Sequence, residues 1–128
     1  GGWGQCRREG TCIQKDAFAE IIDKIKEADA FVFTTPVYWH DLSESAKTFL
    51  DRLRRVETHH GFKRYVDKPY IGIACAGGSG NGAARGLYML EEYLKRVGFK
   101  NYDLVTVTQA NRGHKLPMLE DAGRHILG

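Results

Sequence analysis

Ala30-Phe31-Val32-Phe33-Thr34-Thr35-Pro36-Val37-Tyr38-Trp39-His40-Asp41-Leu42-Ser43 is the stretch that decides how this chain folds. Its first six residues form a short, almost unbroken apolar run rich in β-forming side chains and bounded by Pro36. That is the pattern of a strand buried on both faces. Two adjacent aromatics follow in a loop. From Ser43 onward, Leu42, Ala46, Phe49, Leu50 and Leu53 recur at helical spacing and predict an amphipathic helix. Asp41, with Glu44 three residues on, reads as the capping arrangement that starts it.

Upstream, Phe18, Ile21, Ile22 and Ile25 form one apolar stripe and predict a helix over 17–28, with Asp16 as its N-cap. Residues 1–14 show no period and read as irregular. Downstream, 57–68 is polar and reads as a surface loop. Tyr70 to Cys75 is a second buried strand, and Gly77, Gly78, Gly80 and Gly82 make a glycine-rich turn. Ala84, Leu87, Leu90, Leu94 and Val97 predict a helix over 83–97 that ends at Gly98. Tyr102 to Thr108 is a third strand, 111–114 a loop, and Pro117 the start of a last short helix.

Helices alternating with short apolar strands imply an α/β fold, a parallel sheet with helices on both faces in three α/β/α layers. In a parallel sheet all strands leave at one edge, and open α/β sheets bind ligands there. The loops 35–42, 76–81 and 109–115 are therefore expected to cluster at a ligand site.

Composition narrows the partners. The chain has 128 residues, the scale of one domain, and 42% are hydrophobic. No apolar run reaches about 18 residues, so no transmembrane helix and no membrane partner is expected. The net charge is +3. The densest basic cluster, Arg52, Arg54 and Arg55 followed by Lys63, Arg64 and Lys68, reads as a solvated face, with no nucleic-acid partner. Three cysteines argue against a disulfide framework and suit a reducing, cytoplasmic compartment. Cys75 reads as a buried core thiol. Cys6 and Cys12 match no common zinc spacing. His59 and His60 read as solvated, His40 as a rim residue of the first loop, and Asp51 and Arg52 as structural, a carboxylate and a guanidinium locking the helix against the loop region.

Two loops carry the chemistry. Tyr38 and Trp39 cannot both lie under the sheet. They either stack on a flat ligand or cover a sheet edge or subunit interface. The backbone N–H groups near Leu42 and Ser43 open a helix and suit a carbonyl or developing anion. Gly77, Gly78 and Ser79 either form a plain βα turn or let the backbone approach a ring or phosphate.

Taken together, Thr35-Pro36-Val37-Tyr38-Trp39, Leu42-Ser43, Lys47 and Phe49-Leu50-Asp51-Arg52 resemble the flavin loop and following helix of the NAD(P)H-dependent FMN reductases and iron–sulfur flavoproteins. Cys6 and Cys12 resemble the end of that family's cysteine segment, and Ala76-Gly77-Gly78 its second flavin loop. The resemblance implies a single flavodoxin-like domain over 1–128, partial because the N-terminal strand–helix–strand portion with its phosphate-binding loop has no counterpart in this sequence. It implies FMN as cofactor and NAD(P)H as co-substrate. The partner is a small-molecule electron acceptor: a quinone, free flavin, nitro compound or metal ion. It also implies a homo-oligomer, read as a homodimer. Pro36, Val37, Tyr38, Trp39, Leu42 and Ser43 are the implied ring contacts, with Gly77, Gly78 and Ser79 on the other edge. No catalytic acid or base is expected, because the flavin carries the chemistry. No metal centre is expected, since a cluster needs four thiolates. The competing reading is a non-catalytic interaction module that keeps the fold without the cofactor.

Overall fold

The computed structural model describes residues 3–128. Gly1 and Gly2, part of the stretch read as irregular, lie outside the described residues. The elements run α1 (Trp3–Glu9), α2 (Phe18–Glu27), β1 (Phe31–Tyr38), β2 (Asp41–Leu42), α3 (Glu44–His59), β3 (Pro69–Ala76), α4 (Ala83–Val97), β4 (Lys100–Thr108) and α5 (Arg112–His125). The sheet order is β2-β1-β3-β4. The strands β1, β3 and β4 are parallel, as the alternating pattern requires. The short β2 pairs antiparallel with β1, which makes the sheet mixed.

One hydrophobic core joins the layers. Phe18 and Ile22 of α2, Leu50, Leu53 and Val56 of α3, and Leu90, Leu94 and Val97 of α4 close over Tyr70 of β3. Each such aliphatic side chain contributes about 1.5–3 kcal/mol by leaving water. Helix α5 packs against β4. A Cβ at Gly72 would meet Leu104 of β4 at 3.0 Å and Leu90 of α4 at 3.4 Å, so α4 packs closely over β3 there.

The structure corrects several sequence expectations. Residues Trp3–Glu9 are helical, docked on α3 rather than irregular. Helix α2 begins one residue later than a cap at Asp16 would set, although Asp16 Oδ1 still accepts the Phe18 N–H at 3.1 Å. The N-cap of α3 is Ser43, whose hydroxyl accepts the Ala46 N–H, and Asp41 belongs to β2. Pro117 sits inside α5, which begins five residues earlier at Arg112.

Strand β1 continues through Pro36 to Tyr38. Among the described residues no strand lies beside Phe31–Pro36 on the side away from β3, so a residue without an N–H is tolerated there. Nor is β1 buried on both faces: Val32, 54% exposed, shares one face of the strand with Thr34 and Pro36, which are exposed with it. Cys75 is half-buried rather than a core thiol, whereas Cys6 is buried.

The 57–68 stretch is not simply a surface loop. Glu57 is fully buried, and Arg64 Nε donates to its two oxygens at 3.0 and 3.2 Å. His59 and His60 are not merely solvated either. Their ring nitrogens donate to the carbonyls of Arg7 and Gly10 and so tie the end of α1 to α3. Among the described residues, no helix is long and apolar enough to cross a membrane.

Candidate functional site at the carboxyl edge of the sheet

Tyr38 pairs with Asp41 and Val37 with Leu42, so only Trp39 and His40 lie in the turn between β1 and β2. Both have positive φ, 49° and 66°. Two-residue hairpin turns with positive φ at both centres normally use Asn or Gly, because a Cβ costs energy there. Holding a tryptophan and a histidine in this geometry costs on the order of 1–3 kcal/mol per residue. In this turn the Trp39 side chain lies outward, 92% exposed, with the His40 ring edge-on at 5.7 Å.

The hairpin is anchored from below. Leu42 is 7% exposed and belongs to the core, and Ser43 is 5% exposed. Thr35, fully buried, donates its hydroxyl to the Pro36 carbonyl at 2.8 Å and accepts the Ser43 N–H at 3.3 Å. The Leu42 N–H is taken by Asp41 Oδ1 at 2.7 Å. Both N–H groups read as open to an anion are thus satisfied within the chain. Sequence pattern alone gives no sign that Thr35 has this role. Its role depends on where Ser43 returns, which a strand-like run does not reveal.

The turn after β3 arrives beside this hairpin. Gly82 has φ 82°, and a Cβ there would lie 2.6 Å from the His40 Cα. One helical turn on, a Cβ at Gly86 would meet Val37 Cγ2 at 3.0 Å. The start of α4 therefore rests directly on β1 and β2. Gly80, φ 77°, would meet Thr108 at 3.1 Å, which brings the end of β4 alongside. There Asn111 Oδ1 accepts the Thr108 N–H at 2.8 Å and closes the third loop. At the outer rim, a Cβ at Gly77 or Gly78 would touch nothing within 4 Å. The three loops do converge, and Gly77, Gly78 and Ser79 stay exposed at the same edge of the sheet as the outward aromatics Tyr38 and Trp39. Exposed aromatic faces and open glycine backbone are the kinds of surface that a flat ring takes.

The helix after the hairpin is locked in place by both Asp51 and Arg52, each through its own partner. Arg52 reaches back to the segment before α2. Its guanidinium grips Asp16 through two bonds, 2.9 and 2.8 Å, and donates to Cys12 Sγ at 3.3 Å. The Arg52 hydrogen bonds, helped by the Phe18 N–H, hold the Asp16 carboxyl below the ordinary carboxylate range. Asp51 accepts from Lys47 at 3.0 and 2.8 Å and from the Tyr93 hydroxyl at 2.6 Å, fastening α3 to α4. Among the described residues no three His, Cys, Asp or Glu side chains converge to hold a metal ion. Three cysteines do not supply the four thiolates of an iron–sulfur cluster.

With this geometry in place, the comparisons with known proteins are direct. Residues 4–111 match the NADPH-dependent FMN reductase family, and the chain belongs to it. An iron–sulfur flavoprotein of Methanocaldococcus jannaschii is 33% identical over 81 residues, covering 63% of this chain and 40% of that protein. The Trp repressor binding protein of Bacillus subtilis superposes with a TM-score of 0.63 at 24% identity, over 87% of this chain and 71% of that one. General stress protein 14 of Treponema denticola, solved in complex with FMN, superposes with a TM-score of 0.57 at 19% identity, over 93% of this chain and 72% of that one. The two structural likenesses show a flavodoxin-like fold. The chain spans 40% of the length of the M. jannaschii relative.

Proposed function

We propose that this chain forms the ring-binding part of an FMN-dependent oxidoreductase that draws electrons from NAD(P)H. The observation that carries the reading is the junction of the two loops, where Gly82 abuts His40 and sets the glycine turn beside an outward tryptophan. The chemistry supplied by FMN, when bound, is acceptance of a hydride and delivery of the electrons to a quinone, free flavin, nitro compound or metal ion. Tyr38 and Trp39 offer aromatic surface to one part of the ring, with Pro36 and Val37 behind them. Gly77, Gly78 and Ser79 present backbone to its other edge. Leu42 and Ser43, buried beneath, hold the hairpin at its height. Exclusion of water by the aromatic pair favours hydride transfer over side reactions.

The reading extends to one flavodoxin-like domain over 1–128, to a homodimer, and to a reducing cytoplasm, which three free cysteines suit. The test is the absorbance spectrum of the purified protein followed by titration with FMN. Flavin bands and saturable binding that weakens in Trp39→Ala are expected. A colourless protein with no affinity for FMN would favour the non-catalytic interaction module, in which Tyr38 and Trp39 anchor another protein.

A further inference from the structure

Beside the hairpin, on the α4 side, lies an open groove of about 440 Å³ lined by Trp39, His40, Asp41 and Arg85. Its size is within the range of small-ligand sites. Arg85 follows Gly82 by three residues and precedes Gly86. Both glycines lie on the α4 face that meets the hairpin, and Arg85, at the border of that face, lines the groove next to the turn. Other arginines of this chain have partners: Arg52 grips Asp16, Arg64 grips Glu57, and Arg124 pairs with Glu120. Arg85 makes no hydrogen bond or ion pair with any described residue, although Asp41 lines the same groove. The Asp41 carboxylate is turned to the Leu42 N–H. The groove thus holds an unpaired planar cation and a 92% exposed indole, side by side on a turn kept in a costly conformation.

We infer that this groove receives the phosphate-bearing portion of the nicotinamide dinucleotide, with Arg85 as its phosphate ligand. The inference rests on the FMN reading above. Hydride transfer requires the nicotinamide within about 3–3.5 Å of the flavin ring. Its phosphates are then a ribose away, beyond the rim of the ring site, and Trp39 is that rim. A guanidinium suits a phosphate because it offers parallel N–H donors to two oxygens at once. The Trp39 face adjoining it gives a ribose or base an apolar wall.

The test uses the whole chain with FMN and the oxidised, redox-inert dinucleotides. Binding is read from tryptophan fluorescence in a Trp3→Phe background, so that Trp39 is the reporter. The parent is expected to bind with an affinity that falls as salt rises. Arg85→Ala is expected to weaken binding about tenfold, equivalent to about 1.4 kcal/mol, with FMN affinity unchanged. Arg85→Lys recovers part of the loss. Weakening with both NAD⁺ and NADP⁺, together with competition by inorganic pyrophosphate, assigns the contact to the pyrophosphate. Weakening with NADP⁺ alone assigns it to the 2′-phosphate. Equal dinucleotide affinity in parent and Arg85→Ala, in a protein that still binds FMN, overturns the inference and leaves the flavin reading standing. A protein without affinity for FMN overturns both.

Discussion

Gly82 stands so close to His40 that a Cβ at position 82 would lie 2.6 Å from the His40 Cα and 2.7 Å from its Cγ. Backbone meets backbone at this point, and neither side can yield by turning a side chain. The left-handed φ of 82° compounds the constraint.

Gly82→Ala is therefore expected to destabilise the fold by roughly 1–3 kcal/mol and to push the hairpin away from α4. Urea denaturation of parent and variant measures the first effect, and an FMN titration the second. An unchanged unfolding midpoint would show that the hairpin is not held against α4.

The turn itself trades stability for the position of Trp39. Replacing Trp39 and His40 together by Asn and Gly relieves two positive-φ residues, and stability is expected to rise by about 1–2 kcal/mol. The same change removes the exposed indole, and flavin affinity is expected to fall by about 1 kcal/mol or more. Thermal melts and flavin titrations on one preparation report both. A variant that gains stability and keeps full affinity would remove Trp39 from the ring site.

Glu57 is completely buried, and its carboxylate is answered by Arg64. Arg64→Ala leaves a charge without a partner in the core, at a cost of about 3–5 kcal/mol. The Arg64→Ala, Glu57→Gln double variant is expected to recover much of that loss, because a neutral amide is cheaper to bury. Denaturant midpoints of the parent, single and double variants test this. A double variant no better than Arg64→Ala would place the loss in packing rather than charge.

Asp16 gives the fold a pH dependence whose sign follows from its lowered pKa. The Arg52 hydrogen bonds stabilise the ionised form in the folded state. This contribution is present above the ordinary carboxylate pKa of 3.8 and disappears as pH falls through the lower folded value. Asp16→Asn should be less stable than the parent near neutral pH, and the gap should close as pH falls through the lowered folded pKa. A gap that stays constant with pH would mean that the loss is one of shape alone.

Local periodicity by itself determined α2, α3, α4 and the three parallel strands of this protein. Leu90, Leu94 and Val97 repeat at helical spacing and end at Gly98, and α4 occupies the 83–97 range that this spacing implies. The continuous apolar run 70–75 marks a central strand, and β3 is one. The loops that flank these strands follow from the parallel sheet, so their convergence at one edge was legible too. Tertiary structure decided what the loops became. Trp39-His40 carries none of the Asn or Gly signal of a tight hairpin, so the β1–β2 turn was invisible until β2 paired and Thr35 met the Ser43 backbone. The contact of Gly82 with His40, the grip of Arg52 on Asp16 and the burial of Glu57 under Arg64 join residues that spacing alone does not relate. Helical and strand periods reflect how neighbours along the chain share a face. Distant partners depend on how whole elements dock, and on which charges that docking takes out of water.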